Sequence, residues 1–170
     1  MPGTAAGGAY DMGWTNPGQW FDYTVNVATA GTYSIALRLS SPYGITDALH
    51  IANAAGTNLS GSVAVPNTGG YETWATVTAS VTLPAGQQTL RVDQDSNGFN
   101  FHNMTFSLTS GGGGGTSSDQ PFGGTPAAVP GTVQAANYDT GGQGVAYNVA
   151  SANGSANKIG RASCRERVWR

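Results

Sequence analysis

Four aromatics crowd the stretch GWTNPGQWFDYTV, Gly13 to Val25, and a second aromatic loop, PNTGGYETW, runs from Pro66 to Trp74. Flat rings presented on loops stack against the apolar faces of pyranose sugars by dispersion and CH to π attraction, a contact that needs little charge. Trp14 precedes the Asn16-Pro17-Gly18 turn and stands outside the alternation that follows. Tyr71 comes directly after Gly69-Gly70. Both are positions of exposed loop side chains, and the two loops suggest the two walls of one cleft; the competing reading makes either ring part of the core. Trp20 and Trp74 sit inside alternating segments and read as structural. Asn100 carries an amide that both donates and accepts, suited either to sugar hydroxyls or to closing the Asn97-Gly98 turn. Gln19, Gln94 and Asp95 are weaker candidates of the same kind, with solvated loop residues as their default.

Glycoside hydrolysis needs a pair of carboxylates with separated pKa values, and Asp93 with Asp95, or Asp22 and Glu72 beside the aromatic loops, are the pairs on offer. Two acids in one short segment are more often solvated or linked to calcium. His50 and His102 lie in strand segments with no matching nucleophile or metal partner and read as structural or surface histidines. No catalytic residue is assigned.

Only 9% of the 170 residues are charged, with Asn, Gln, Ser, Thr and Gly in the places where Lys and Glu normally sit. Such a surface suits an extracellular, secreted protein that meets neutral, hydroxyl-rich ligands. Residues 1–157 hold two arginines, Arg38 and Arg91, against eight carboxylates, a formal charge of −6. That sign excludes a phosphate-binding surface, so no nucleic-acid partner is expected. The single cysteine, Cys164, excludes an internal disulfide. No apolar run is long enough to cross a bilayer, and MPGTAAGG lacks the basic start and apolar core of a signal peptide.

The elements that must position these residues are short alternating segments broken by turns. Strands are predicted over Trp20 to Val27, Gly31 to Leu39, Ala48 to Ala52, Leu59 to Val65, Trp74 to Val81, Gln88 to Asp93 and Asn100 to Leu108. Their spacing predicts an all-β, jelly-roll β-sandwich. Its core is expected to hold Phe21, Tyr23, Tyr33, Ile35, Leu37, Val63, Val77, Leu90, Val92, Phe106 and Leu108. Residues 110–130, with a five-glycine run and added Ser, Thr and Pro, read as a flexible linker. Apolar residues and turn signals then resume over 131–157.

With the aromatic loops, the ATAGTY turn, the VPNTGGYETW loop and the GFNFHNMTF strand in order, residues 9 to 108 resemble a family 6 carbohydrate-binding module. The resemblance implies a β-jelly-roll whose sugar site lies in the loops at one end, with two aromatics clamping a ring and an asparagine bonding its hydroxyls. By position these are Trp14, Tyr71 and Asn100. PGTVQAANYDTGGQGVAYNV, from Pro130, resembles the opening of a second such module. The expected division is therefore 1–109 for a module lacking its opening strand, 110–130 for the linker, 131–157 for the start of a second module, and 158–170 for a non-native tail. That tail, KIGRASCRERVWR, resembles the translation of a sequencing-adapter oligonucleotide. The family often carries a structural calcium; here His102 stands where an acidic or amide residue is usual, and Gln134-Ala135-Ala136 where a Glu is expected, so the acidic ligands are missing.

The resulting expectation is non-catalytic polysaccharide binding, on a substrate such as xylan or a β-glucan, in the service of an attached glycan-degrading enzyme. An adhesion or structural β-sandwich, or a small β-sandwich glycosidase or lyase, are the alternatives. No membrane partner is expected. One further expectation is that Thr132 to Tyr138, at the end of the linker, completes the first sandwich by supplying the strand it lacks.

Overall fold

The computed structural model describes residues 11–111, 121–140 and 146–148. Seven strands follow the alternating segments: β1 (Trp20–Val27), β2 (Gly31–Ser40), β3 (Ile45–Asn53), β4 (Val63–Val65), β5 (Ala75–Leu83), β6 (Gly86–Gln94) and β7 (Asn100–Gly111). Three short strands come after them: β8 (Ala127–Val129), β9 (Gly131–Gln134) and β10 (Tyr147–Asn148). They form two facing sheets, one ordered β10-β1-β6-β3-β4 with β8 also on β1, the other ordered β5-β2-β7-β9. The sandwich is all-β, as the alternation predicts.

β2 illustrates why these residues make strands. Its odd positions, Tyr33, Ile35, Leu37 and Leu39, are fully buried while the even positions from Thr32 to Arg38 stay half-buried, the period of two that a sheet with one covered face requires. Both of its neighbours are antiparallel, with Ile35 opposite Ala79 on β5 and Phe106 on β7. Facing side chains from the other sheet, Phe21, Tyr23, Leu49, Ile51, Leu90 and Val92, complete one core. Each such buried side chain stabilises the fold by about 1.5–3 kcal/mol relative to exposure.

Two details of the predicted core differ. Leu108 is 41% exposed, because it pairs with Tyr33 at the end of the sheet, beyond Phe106, where β9 stops. Val77 is only partly buried because β5 is an edge strand. The predicted strand over Leu59 to Val65 contracts to three residues. There the Ser60 hydroxyl accepts the Ile51 N–H at 2.9 Å, taking the ladder position of a strand carbonyl.

The expected linker boundary shifts as well. Ala127–Val129, inside the 110–130 range, is a strand that runs parallel to β1 from Val25 to Val27. β9 then crosses to the other sheet and pairs antiparallel with β7, Gln134 opposite Asn103. β10 returns to β1 at Trp20 and Phe21. Between β8 and β10, Asp139 N–H donates to the Asp22 carbonyl and Asp22 N–H to that of Ala146, each at 2.7 Å. One segment thus covers the edge of β1 in one sheet and of β7 in the other. It buries Val129, Val133 and Ala135, and the Tyr23 hydroxyl donates to the Ala135 carbonyl at 2.7 Å. Residues 112–120, 141–145 and 149–157, and the tail 158–170, lie outside the described residues.

A carboxylate at position 133, which is 4% exposed, would face the apolar interior without a cation. Val133→Asp is expected to lower stability by about 3 kcal/mol or more in urea denaturation. Tyr23→Phe, which removes only the hydroxyl, is expected to cost about 1 kcal/mol. Unchanged midpoints in both would mean that the segment is not part of the folded unit.

Candidate functional site

The segment before β1 is fastened on two sides. Met12 exchanges N–H and carbonyl bonds with Phe101 of β7, both at 2.8 Å. On the other side the Thr15 hydroxyl donates to Gln94 Oε1 at 3.0 Å, and Gly18 N–H donates to the Gln94 carbonyl at 2.8 Å. Between these anchors Trp14 takes a left-handed backbone conformation, φ 59°, and its side chain is 80% exposed. Left-handed geometry costs a residue with a Cβ about 1–2 kcal/mol. The chain bears that strain at the one exposed tryptophan among the described residues, with the indole held outward.

The second loop is fastened through serines. Thr68 N–H and Oγ1 both donate to the Ser41 carbonyl, at 2.8 and 2.9 Å, and Ser41 N–H donates back to Thr68 Oγ1 at 3.0 Å. Gly69, at φ 85°, makes the turn. Tyr71 follows, 42% exposed, with its carbonyl accepting the Ser40 hydroxyl at 2.6 Å. The side chain of Ser41 reaches a third loop, donating to Gly98 at 2.7 Å. Tyr43, 59% exposed, lies beside that same glycine, a further aromatic near this end of the sandwich that the sequence reading did not single out.

Asn100 begins β7 and joins the two aromatic segments. Its Nδ2 donates to Asp11 Oδ2 at 3.2 Å and to the Tyr71 carbonyl at 3.1 Å, and not to the Asn97-Gly98 turn. Trp14, Tyr71 and Asn100 therefore belong to one assembly at one end of the sandwich. Gly13 backs against it: a Cβ there would stand 2.4 Å from Asn100 Oδ1. Asp11 and Glu72 supply its negative charge. Partial burial, and then the Asp11 carboxylate, push the Glu72 pKa above the ordinary carboxylate value. Asp11 had no signal in the sequence; its role comes from its distance to a residue 89 positions away.

The remaining candidates lie elsewhere. Gln19 and Gln94 are not solvated loop residues: both are buried, Gln19 Oε1 accepting Asn16 N–H at 3.0 Å and Gln94 accepting Thr15. Asp22 is buried and bound by Arg91, Nε to Oδ1 at 2.8 Å and Nη2 to Oδ2 at 3.1 Å, while the guanidinium lies 3.6 Å over Trp20. Asp93 and Asp95 both face His50, at 3.5 and 2.7 Å. Burial raises the Asp93 pKa, opposed by His50 and Arg91. Trp74 meets His102 edge-on at 5.4 Å, and burial lowers the His102 pKa with help from Arg38.

The calcium that the family resemblance implies does not fit these residues. Gln134 Oε1 is a buried oxygen without a hydrogen-bond partner, but Ala136 offers no side-chain ligand and His102 a nitrogen, where calcium takes six to eight oxygens. Among the described residues no group of three or more His, Cys, Asp or Glu could hold a metal.

The sequence profile of the carbohydrate binding module (family 6) matches residues 2–108. Over 86 residues, 48% of the chain, the sequence is 38% identical to an isomaltosyltransferase of Sporosarcina globispora. Over 75 residues, 43% of the chain, it is 35% identical to beta-agarase AgaA of Microbulbifer thermotolerans. The matches span 8% and 16% of those two proteins' own lengths. Among solved structures, a carbohydrate binding module from Cellvibrio mixtus lichenase 5A in complex with cellotriose superposes with a TM-score of 0.56 at 30% identity, covering 63% of this chain and 83% of that one. A β-1,3-glucan binding family 6 module from Bacillus halodurans gives 0.51 at 28% identity, covering 58% and 76%.

Two substitutions test the local geometry. Relief of the left-handed strain should make Trp14→Gly more stable than Trp14→Ala by about 1 kcal/mol in denaturant titrations, whereas equal stabilities would place position 14 in ordinary backbone geometry. Gly13→Ala should displace the Asn100 amide, moving its side-chain NH2 signals in a 15N spectrum while the core signals stay in place.

Proposed function

The chain belongs to carbohydrate-binding module family 6 and is a non-catalytic carbohydrate-binding protein; from that premise we propose that Trp14 and Tyr71 are the two walls that clamp a sugar ring. The observation that carries this reading is the joining of both aromatic segments through the single residue Asn100, with each ring exposed. Stacked rings supply affinity through dispersion, and the surrounding amides, hydroxyls and carboxylates supply orientation.

The ligand in this reading is a neutral polysaccharide such as a β-glucan or xylan. The β-glucan choice draws support from the module bound to cellotriose and from the β-1,3-glucan binding module, each about 30% identical or slightly less. The chain would serve an attached glycan-active enzyme, extracellular and secreted, by holding polysaccharide close to the catalytic module. Such tethering raises effective concentration and adds no chemistry of its own. The two enzymes that contain a matching segment support it. The hydrolase alternative is set aside: the family is non-catalytic, and Asp22, Asp93 and Asp95 are each engaged by Arg91 or His50.

Titration of the protein with soluble xylan, mixed-linkage glucan, β-1,3-glucan, agarose oligosaccharides and chitosan, followed by tryptophan fluorescence, tests the reading. Saturable binding is expected with a neutral glycan of the panel. Trp14→Ala and Tyr71→Ala should each weaken it roughly tenfold or more. Binding that survives both substitutions would move the site away from this end of the sandwich.

A further inference from the structure

β5 is the outermost strand of its sheet, hydrogen-bonded along its backbone to β2 on one side and to no strand or loop on the other among the described residues. It runs for nine residues, Ala75–Leu83, in unbroken register with β2. An edge of that length presents a row of unpaired N–H and carbonyl groups that another strand can join. Edges that stay single are blunted by charge, by proline, by a bulge or by being short. The other outer strands, β4, β8, β9 and β10, have two to four residues each. β5 has none of these devices: no charged residue, no proline and no register shift.

The side chains of the strand fit one partner in particular. ATVTASVTL reads nearly the same from either end. Turned antiparallel to itself about Ala79, it sets Thr78 opposite Ser80, Val77 opposite Val81 and Thr76 opposite Thr82. Thr76, Thr78, Ser80 and Thr82 are exposed, whereas Val77 and Ala79 are half-buried and Val81 is buried. In that register hydroxyl therefore meets hydroxyl on the outer face, and β-branched valines meet on the inner one, both favourable cross-strand pairs. We propose that a second copy of this chain docks here, β5 against β5 across a twofold axis at Ala79, joining two four-stranded sheets into one of eight. A slip of one residue would set each valine against a hydroxyl side chain of the wrong face, so the pattern specifies the register. An isologous contact of this kind closes on itself, and the exposed edge ends in a dimer instead of a fibre. The paired residues include none of the proposed sugar clamp, so the pairing stands apart from the reading of Trp14 and Tyr71.

Sedimentation equilibrium of the full chain, from micromolar to hundreds of micromolar and with a thiol reductant to keep Cys164 from linking copies, tests the pairing. The mass is expected to rise with concentration toward that of two chains. Thr78→Lys combined with Ser80→Lys should raise the dimer dissociation constant at least about tenfold, because each new cation then faces another across the axis. Both positions are exposed, so the circular dichroism of the chain should not change. Thr78→Lys combined with Ser80→Glu should restore the dimer, since each cation then faces a carboxylate of the other copy. A parent chain that stays monomeric at the highest concentration overturns the proposal. So does a dimer that persists in the double-lysine variant, which places the contact on another surface, or a folded mixed-charge variant that stays monomeric. Masses that climb past two chains mean open pairing and overturn the closed twofold. The measurement on the parent chain needs no variant to fold.

Discussion

The pairing of backbone groups along the adjoining edges of the two sheets is the constraint on which the rest of this structure depends. β1 and β7 would each present a row of unpaired N–H and carbonyl groups along the same side of the sandwich, with the apolar interior open between them. The three short strands β8, β9 and β10 answer both edges. β8 and β10 lie along β1 and β9 along β7, and Val129, Val133 and Ala135 plug the gap. The site inherits its order from this closure, since Asn100 and Phe101 are the first residues of β7 and Phe101 is where the Trp14 segment docks.

A rigid scaffold alone does not orient loops. Here each aromatic loop is held by short polar bonds whose partners come from distant strands: Thr15 with Gln94, Thr68 with Ser41, Tyr71 with Ser40, Asp11 with Asn100. Ordering a loop in advance removes a cost that binding would otherwise have to meet. The left-handed Trp14 belongs to the same arrangement, because a backbone pinned at Met12 and Thr15 has few ways to send an indole outward. A surface with few charges completes it, leaving ring stacking and hydroxyl recognition as the dominant forces.

The acidic and basic side chains follow a different logic. Arg91 neutralises buried Asp22 and covers Trp20, while His50 of β3 meets Asp93 on the adjoining β6 and Asp95 just past its end. These carboxylates each have a basic side chain as partner, which is not the arrangement of a separated acid and base that a hydrolase requires. The same residues read in isolation, as pairs of carboxylates near aromatic loops, suggest chemistry. Their partners come from strands that only the folded sheet makes adjacent.

The alternation of apolar and polar residues by itself determined the existence and order of the strands β1 to β7, with β4 shorter than predicted, and the burial of Phe21, Tyr23, Ile35 and Leu90, while the turn residues beside Trp14 and Tyr71 marked their exposure. These are local properties: side-chain period and turn chemistry act over a few residues. Tertiary structure alone decided that Gln19 and Gln94 are buried, that Leu108 lies uncovered at the end of its sheet, and that Ala127–Val129 is a strand although its composition reads as linker. It also decided what Asn100 does with its two hydrogens. The reason in each case is that a polar group or a strand edge must find its partner wherever the fold brings one, and for Asn100 that partner lies 89 residues away at Asp11.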